Sequence, residues 1–151
     1  MKLHDFFAAF LLIAGALSCA AQDRGYWRAA SYDAATITGD VTIGETKLSI
    51  NFVNFALAPI RSLKPVEVSA VFDADVNAGI NGQLYRIHIP AATRFMHRNT
   101  LCGAEDTEWM ATYVVGHNLY VAFFSGTTAP VFTVDAMANS PDRCGNFTYA
   151  R

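Results

Sequence analysis

Arg86, His88 and the acids Glu105, Asp106 and Glu108 are the residues of this chain best suited to chemistry. Arg86 and His88 stand two apart in an alternating stretch, so a strand would turn both to one face. An imidazole beside a carboxylate can act as a general acid–base pair, and a guanidinium next to both can bind an anion. The competing reading is a solvated sheet face followed by an acidic turn. Asp73, Asp75 and Asn77 place side-chain oxygens at the first, third and fifth positions of a calcium loop. That loop needs Gly at its sixth position and Glu at its twelfth, where this chain has Ala78 and Leu84, so a plain acidic turn competes with metal binding. His88, His97 and His117 are not at ligand spacing from one another. No Gly-x-Ser-x-Gly elbow and no Gly-rich phosphate loop occurs, and no cofactor is expected.

Cys102 and Cys144 each precede a Gly and are expected to form one disulfide. Its loop-closure contribution is about 4 kcal/mol. The expectation presumes an oxidising compartment, and residues 1–20 supply the reason. Lys2 precedes the uncharged run Phe6–Leu17, and the small residues Ser18, Cys19, Ala20 and Ala21 follow. This pattern predicts a cleaved signal peptide over 1–20 and a secreted domain over 21–151. A lipid anchor on Cys19 is the alternative fate of the leader, since Ser18 fits a lipoprotein signal while Ala16 replaces its usual Leu. No later apolar stretch reaches the length of a membrane-spanning helix.

The elements that must position these residues read as strands. Leu48, Ile50 and Phe52 alternate with Lys47, Ser49 and Asn51 over Thr46–Val53. Thr36–Ile43 and Val66–Phe72 alternate in the same way. Trp109–Val115 and Leu119–Phe124 are apolar on both faces and are joined by a hairpin turn at Gly116-His117-Asn118. Phe55–Ile60, Leu84–Ile89, Val131–Val134 and Gly145–Tyr149 complete the set, with Ala91–Arg98 a short helix or loop. The expected fold is all-β: one small antiparallel barrel or sandwich of about eight strands with one disulfide. Residues 21–30 are expected to enter as an arm, with Trp27 plugging one end of the core.

The chain has 151 residues, 52% hydrophobic and 16% charged, enough for one packed domain and too apolar for intrinsic disorder. A net charge of −2 excludes an electrostatic nucleic-acid binder. Beyond the leader the chain keeps all six Tyr, both Trp and every Phe except Phe6, Phe7 and Phe10. That aromatic content fills an interior or lines a pocket.

Two resemblances rest on particular residues. Leu101-Cys102-Gly103, Trp109, Ala122–Gly126 and Cys144–Tyr149 resemble small secreted proteins of proteobacteria, with Ile37-Thr38-Gly39-Asp40 as an N-terminal echo. Gly25-Tyr26-Trp27 resembles the Gly-x-Trp of lipocalin-type barrels, and Val121–Ser125 is similar to a strand of the periplasmic metalloprotease inhibitors of that shape. The second resemblance implies an N-terminal arm, starting near Ala21, that enters a protease cleft.

The functional expectation is a secreted or periplasmic bacterial binding protein without catalytic activity. Its contact residues are expected among Trp27, Arg86, His88, Trp109 and Tyr113, and its partner is an envelope protein or a small apolar ligand. One alternative is an inhibitor of an envelope or secreted hydrolase, of protease or lysozyme type. Another is a small enzyme with a site at Arg86, His88 and Glu105–Glu108.

Overall fold

Eight antiparallel strands, each bonded to the next in chain order and the last to the first, close into an up-and-down barrel in this computed structural model. The structure describes residues 22–151. The signal peptide expected over 1–20, with Cys19, lies outside the described residues. The strands are β1 (Gly25–Ala29), β2 (Val41–Ile43), β3 (Lys47–Ile50), β4 (Val53–Leu63), β5 (Gly82–Ile89), β6 (Thr107–Val115), β7 (Asn118–Phe124) and β8 (Arg143–Ala150). Closure decides between barrel and sandwich and leaves no open sheet edge.

One face of each strand fills the lumen. Trp27, Ile43, Ile50, Ile87, Met110, Phe123 and Tyr149 are buried there against one another. The outer wall of β5–β7 carries a second layer. Two helices, α1 (Pro65–Phe72) and α2 (Val134–Ala138), bring Val68, Val71 and Met137 against Leu84, Ala111 and Phe124. This layer explains why β6 and β7 are apolar on both faces: each is buried on both sides.

Four expected strands differ from the structure, and one of them, Thr46–Val53, is broken by a turn at Asn51-Phe52 between β3 and β4. Val66–Phe72 is helix α1, not strand, because Pro65 sits in its first turn and the Glu67 carboxylate accepts the Lys64 N–H at 2.9 Å. Val68 and Val71, three apart, both face the barrel, which a helix allows and a strand forbids. Thr36–Ile43 is interrupted: Ala34–Thr38 forms one π-helical turn, Gly39 takes φ 64°, and only Val41–Ile43 is strand. Val131–Thr133 is not strand but leads into α2, which starts at Val134 and whose first turn is capped by the Thr133 hydroxyl accepting the Ala136 N–H.

The arm is also revised. Residues 25–29 are the wall strand β1, paired to β2 and β8. Trp27 does plug the core: its side chain is fully buried, its indole N–H donates to the Asp23 carbonyl at 2.7 Å, and the Arg151 guanidinium lies 4.2 Å from its ring centre. Arg151 also donates to the carbonyls of Gln22 and Arg24. First and last residues of the barrel are thereby clasped together.

The expected disulfide is present. Cys102, in the β5–β6 connection, is bonded to Cys144 on β8, with Cα atoms 4.9 Å apart. At the same end, Thr38 shares a 2.7 Å hydrogen bond with the Tyr149 hydroxyl, and Asp40 accepts the Ala29 N–H and the Tyr26 hydroxyl proton. Those bonds hold the Asp40 carboxyl below its usual range, the Tyr26 hydroxyl contributing most. A lowered folded-state value stabilises the barrel above the ordinary carboxylate pKa of about 4 and loses that contribution as pH falls through the lowered value. Asp40→Asn is therefore expected to flatten the acid limb of a stability-against-pH curve; an unchanged limb in urea melts between pH 2 and 5 would contradict this.

Candidate functional site

The up-and-down order puts the connections at alternating ends. Residues 30–40, 51–52, 90–106 and 125–142 gather at one end, opposite the Trp27–Arg151 clasp. The β3–β4 connection is the shortest of these. Ile50 pairs with Val53, so Asn51 and Phe52 alone make the turn. Both take positive φ, 48° and 66°, the pairing of a type I′ hairpin. Asn tolerates that conformation, whereas Phe at the second position is strained where Gly is the usual residue. The Phe52 ring is as exposed as in an extended peptide, at 101%.

Alternation along 46–53 expected Phe52 on the buried face with Leu48 and Ile50. The turn overturns that reading, because a two-residue loop takes its tip out of the pleat. Asn51, a first-position residue of type I′ turns, was the signal available in the sequence. Beside the tip lies a cleft of about 620 Å³, whose lining includes Tyr26, Thr38, Gly39, Asp40, Phe52 and Met96. Tyr32, on the neighbouring 30–40 connection, is 81% exposed.

The chemistry-bearing cluster forms on the outer wall. Arg86 and His88 do share a face of β5, and the register shift between Arg86 and Ile89 sets Glu108 of β6 against them. Glu108 Oε1 lies 3.1 Å from His88 Nδ1, and Oε2 lies 2.6 Å from Arg86 Nη2. The Arg86 guanidinium stacks 4.5 Å from the Trp109 ring centre, and the Trp109 indole N–H donates to the Gly126 carbonyl. Glu108 is thus no part of a solvated turn: it is a buried counter-ion on a strand, while Glu105 and Asp106 stay exposed. The His88 side chain is 59% exposed, so the pair meets without the water exclusion that strengthens acid–base catalysis.

Tyr113 is not part of that cluster. It is buried on the outer wall, stacked on Tyr120 and packed against Phe72. Its backbone segment edges a cleft of about 300 Å³ at the clasped end, with Gln22, Asp23, Gln83 and Thr112. The Asp23 carboxylate is buried there and accepts the Tyr85 hydroxyl at 2.9 and 3.0 Å and the Thr112 hydroxyl. Burial, followed by the charge of Asp23, pushes the Tyr85 hydroxyl far above its ordinary range, so Tyr85 stays a donor. Trp27, buried beneath, has no face left for a ligand.

The calcium candidate forms a turn. Asp73 takes φ 56° at the end of α1, and Asp75 turns a carboxylate oxygen to its own chain, accepting the Asn77 N–H at 2.9 Å. His117 lies exposed at the β6–β7 hairpin, and His97 lies in the β5–β6 connection. Among the described residues, no helix is long and apolar enough to cross a membrane. No family model, curated protein or solved structure matches the chain.

Proposed function

We propose that the chain is an exported binding protein without catalytic activity, and that it grips a protein partner in the bacterial envelope or outside the cell through the β3–β4 hairpin tip. The observation that carries this reading is Phe52: an unshielded aromatic ring on a two-residue turn whose backbone disfavours it. A large ring on a stiff turn loses little conformational entropy when it enters a pocket. Its surroundings suit an interface anchor, because Asn51, Asn54 and Ser49 offer a neutral polar rim around it. The filled lumen speaks for this reading over carriage of a small apolar ligand inside the barrel. The apolar leader and the disulfide support export to an oxidising compartment.

Inhibition of a secreted or envelope hydrolase is the version favoured by a protruding rigid tip, since an active-site cleft is a ready receptor for one. The segment that would have served as an inhibitory arm from Gln22 onward is locked by Arg151 and β1 pairing, so the tip takes over that role.

The test is Phe52→Gly. Removing the ring is expected to weaken partner binding by about 2 kcal/mol or more, roughly thirtyfold, as for a central interface aromatic. Folding stability should stay level or rise by up to about 1 kcal/mol as the strained φ is relieved. The readouts are affinity for the partner recovered with the mature wild-type protein from the envelope fraction, and denaturant melts of both forms. Equal affinity of the two forms for that partner would refute the tip as its anchor. Residual hydrolase activity measured with and without the protein separates the inhibitor version from simple docking.

A further inference from the structure

Glu108 sits in an arrangement its neighbours only half satisfy. The residue is 9% exposed, and its Oε2, though 2.6 Å from Arg86 Nη2, makes no well-directed hydrogen bond; Arg86 Nη1 is buried beside it without a partner. Oε1 faces the His88 ring nitrogen instead. Asp106, two residues earlier, approaches from the same side. Its Oδ1 accepts the Ala91 N–H at 2.7 Å, and its Oδ2 has no hydrogen bond among the described residues. One ligand-type atom from each of His88, Asp106 and Glu108 lies within 4.8 Å of the other two.

We propose that His88, Asp106 and Glu108 bind a divalent first-row transition-metal ion, of which zinc is the representative. One imidazole and two carboxylates suit such an ion, whereas calcium takes oxygen ligands alone. Zinc holds these ligands at about 2.0–2.2 Å, so the three atoms must close in on one another. The exposed side chains of His88 and Asp106 can make that movement while buried Glu108 stays fixed. Arg86 then works from behind: held over Trp109, it pairs with Oε2 and leaves Oε1 for the ion. A basic partner on the far oxygen of a ligating carboxylate is a usual orienting arrangement. Three protein ligands leave a fourth position open to solvent or to a partner's side chain.

This site lies on different strands from the hairpin tip and stands or falls independently of it. The test is zinc sulfate alone, titrated by calorimetry into the disulfide-bonded mature protein after chelation, with native mass spectrometry for stoichiometry. One ion per chain is expected, with His88→Ala and Asp106→Asn each weakening binding at least about tenfold. Both side chains are exposed, so the metal-free melting temperatures of these variants should match wild type. His97→Ala and His117→Ala should bind as wild type does. Absence of stoichiometric binding, or binding that survives both His88→Ala and Asp106→Asn, would overturn the proposal.

Discussion

Trp27→Ala is expected to lower the unfolding free energy by about 3–5 kcal/mol, the range for deleting a buried large aromatic from a packed core. Three losses add at this one position. The lumen is left with a cavity where a fully buried indole had stood among core side chains. The Asp23 carbonyl loses its indole donor. Arg151 loses the ring it stacks on, so its hold on the carbonyls of Gln22 and Arg24 is also weakened. Urea denaturation followed by far-ultraviolet circular dichroism measures the change. Trp27→Phe, which refills much of the volume but cannot donate, should recover more than half of the loss. A cost below 1 kcal/mol for Trp27→Ala would mean that the barrel end is held by the other contacts.

Removing the covalent tie should cost as much. The double variant Cys102→Ala, Cys144→Ala is expected to lose about 4 kcal/mol, the loop-closure entropy for residues 42 apart in sequence. A domain of this size is stable by only about 5–15 kcal/mol, so the variant should melt many degrees lower. The bridge joins the β5–β6 connection, the longest at its end apart from 125–142, to β8 in the wall. Without it that connection is held by contacts such as Phe95 on Phe55 and Leu101 in the core. Reductant added to wild type should reproduce the loss. Indifference to reductant at matched pH would show that the loop is ordered by packing alone.

Much of this architecture was legible because strand periodicity is local. Alternation within β5 was enough to put Arg86 and His88 on one face, and β6 and β7 read as apolar on both faces, though nothing in the sequence said what would cover the outer one. Cys102 and Cys144 were the only cysteines after residue 20, so their pairing needed no geometry. Val66–Phe72 misled for a physical reason: Val66, Val68, Ala70 and Phe72 fit period two, while Val68, Val71 and Phe72 fit a helix equally well. Pro65 and Glu67 broke the tie by starting a helix. Glu108 misled because a carboxylate after two other acids resembles a solvated turn, and only its place opposite a register shift in β5 gives it Arg86 and His88 as partners.

Residue order by itself determined that this chain builds strands with a buried face, that two thiols pair, and that the basic side chains of β5 point together. Such properties depend on neighbours a few positions away and on composition. Tertiary structure alone decided that the sheet closes on itself, that helices cover one wall and that Phe52 stands outside the core. The first two follow from pairing and packing between elements distant in sequence, and the last from turn geometry, where a single residue moves a side chain from core to solvent.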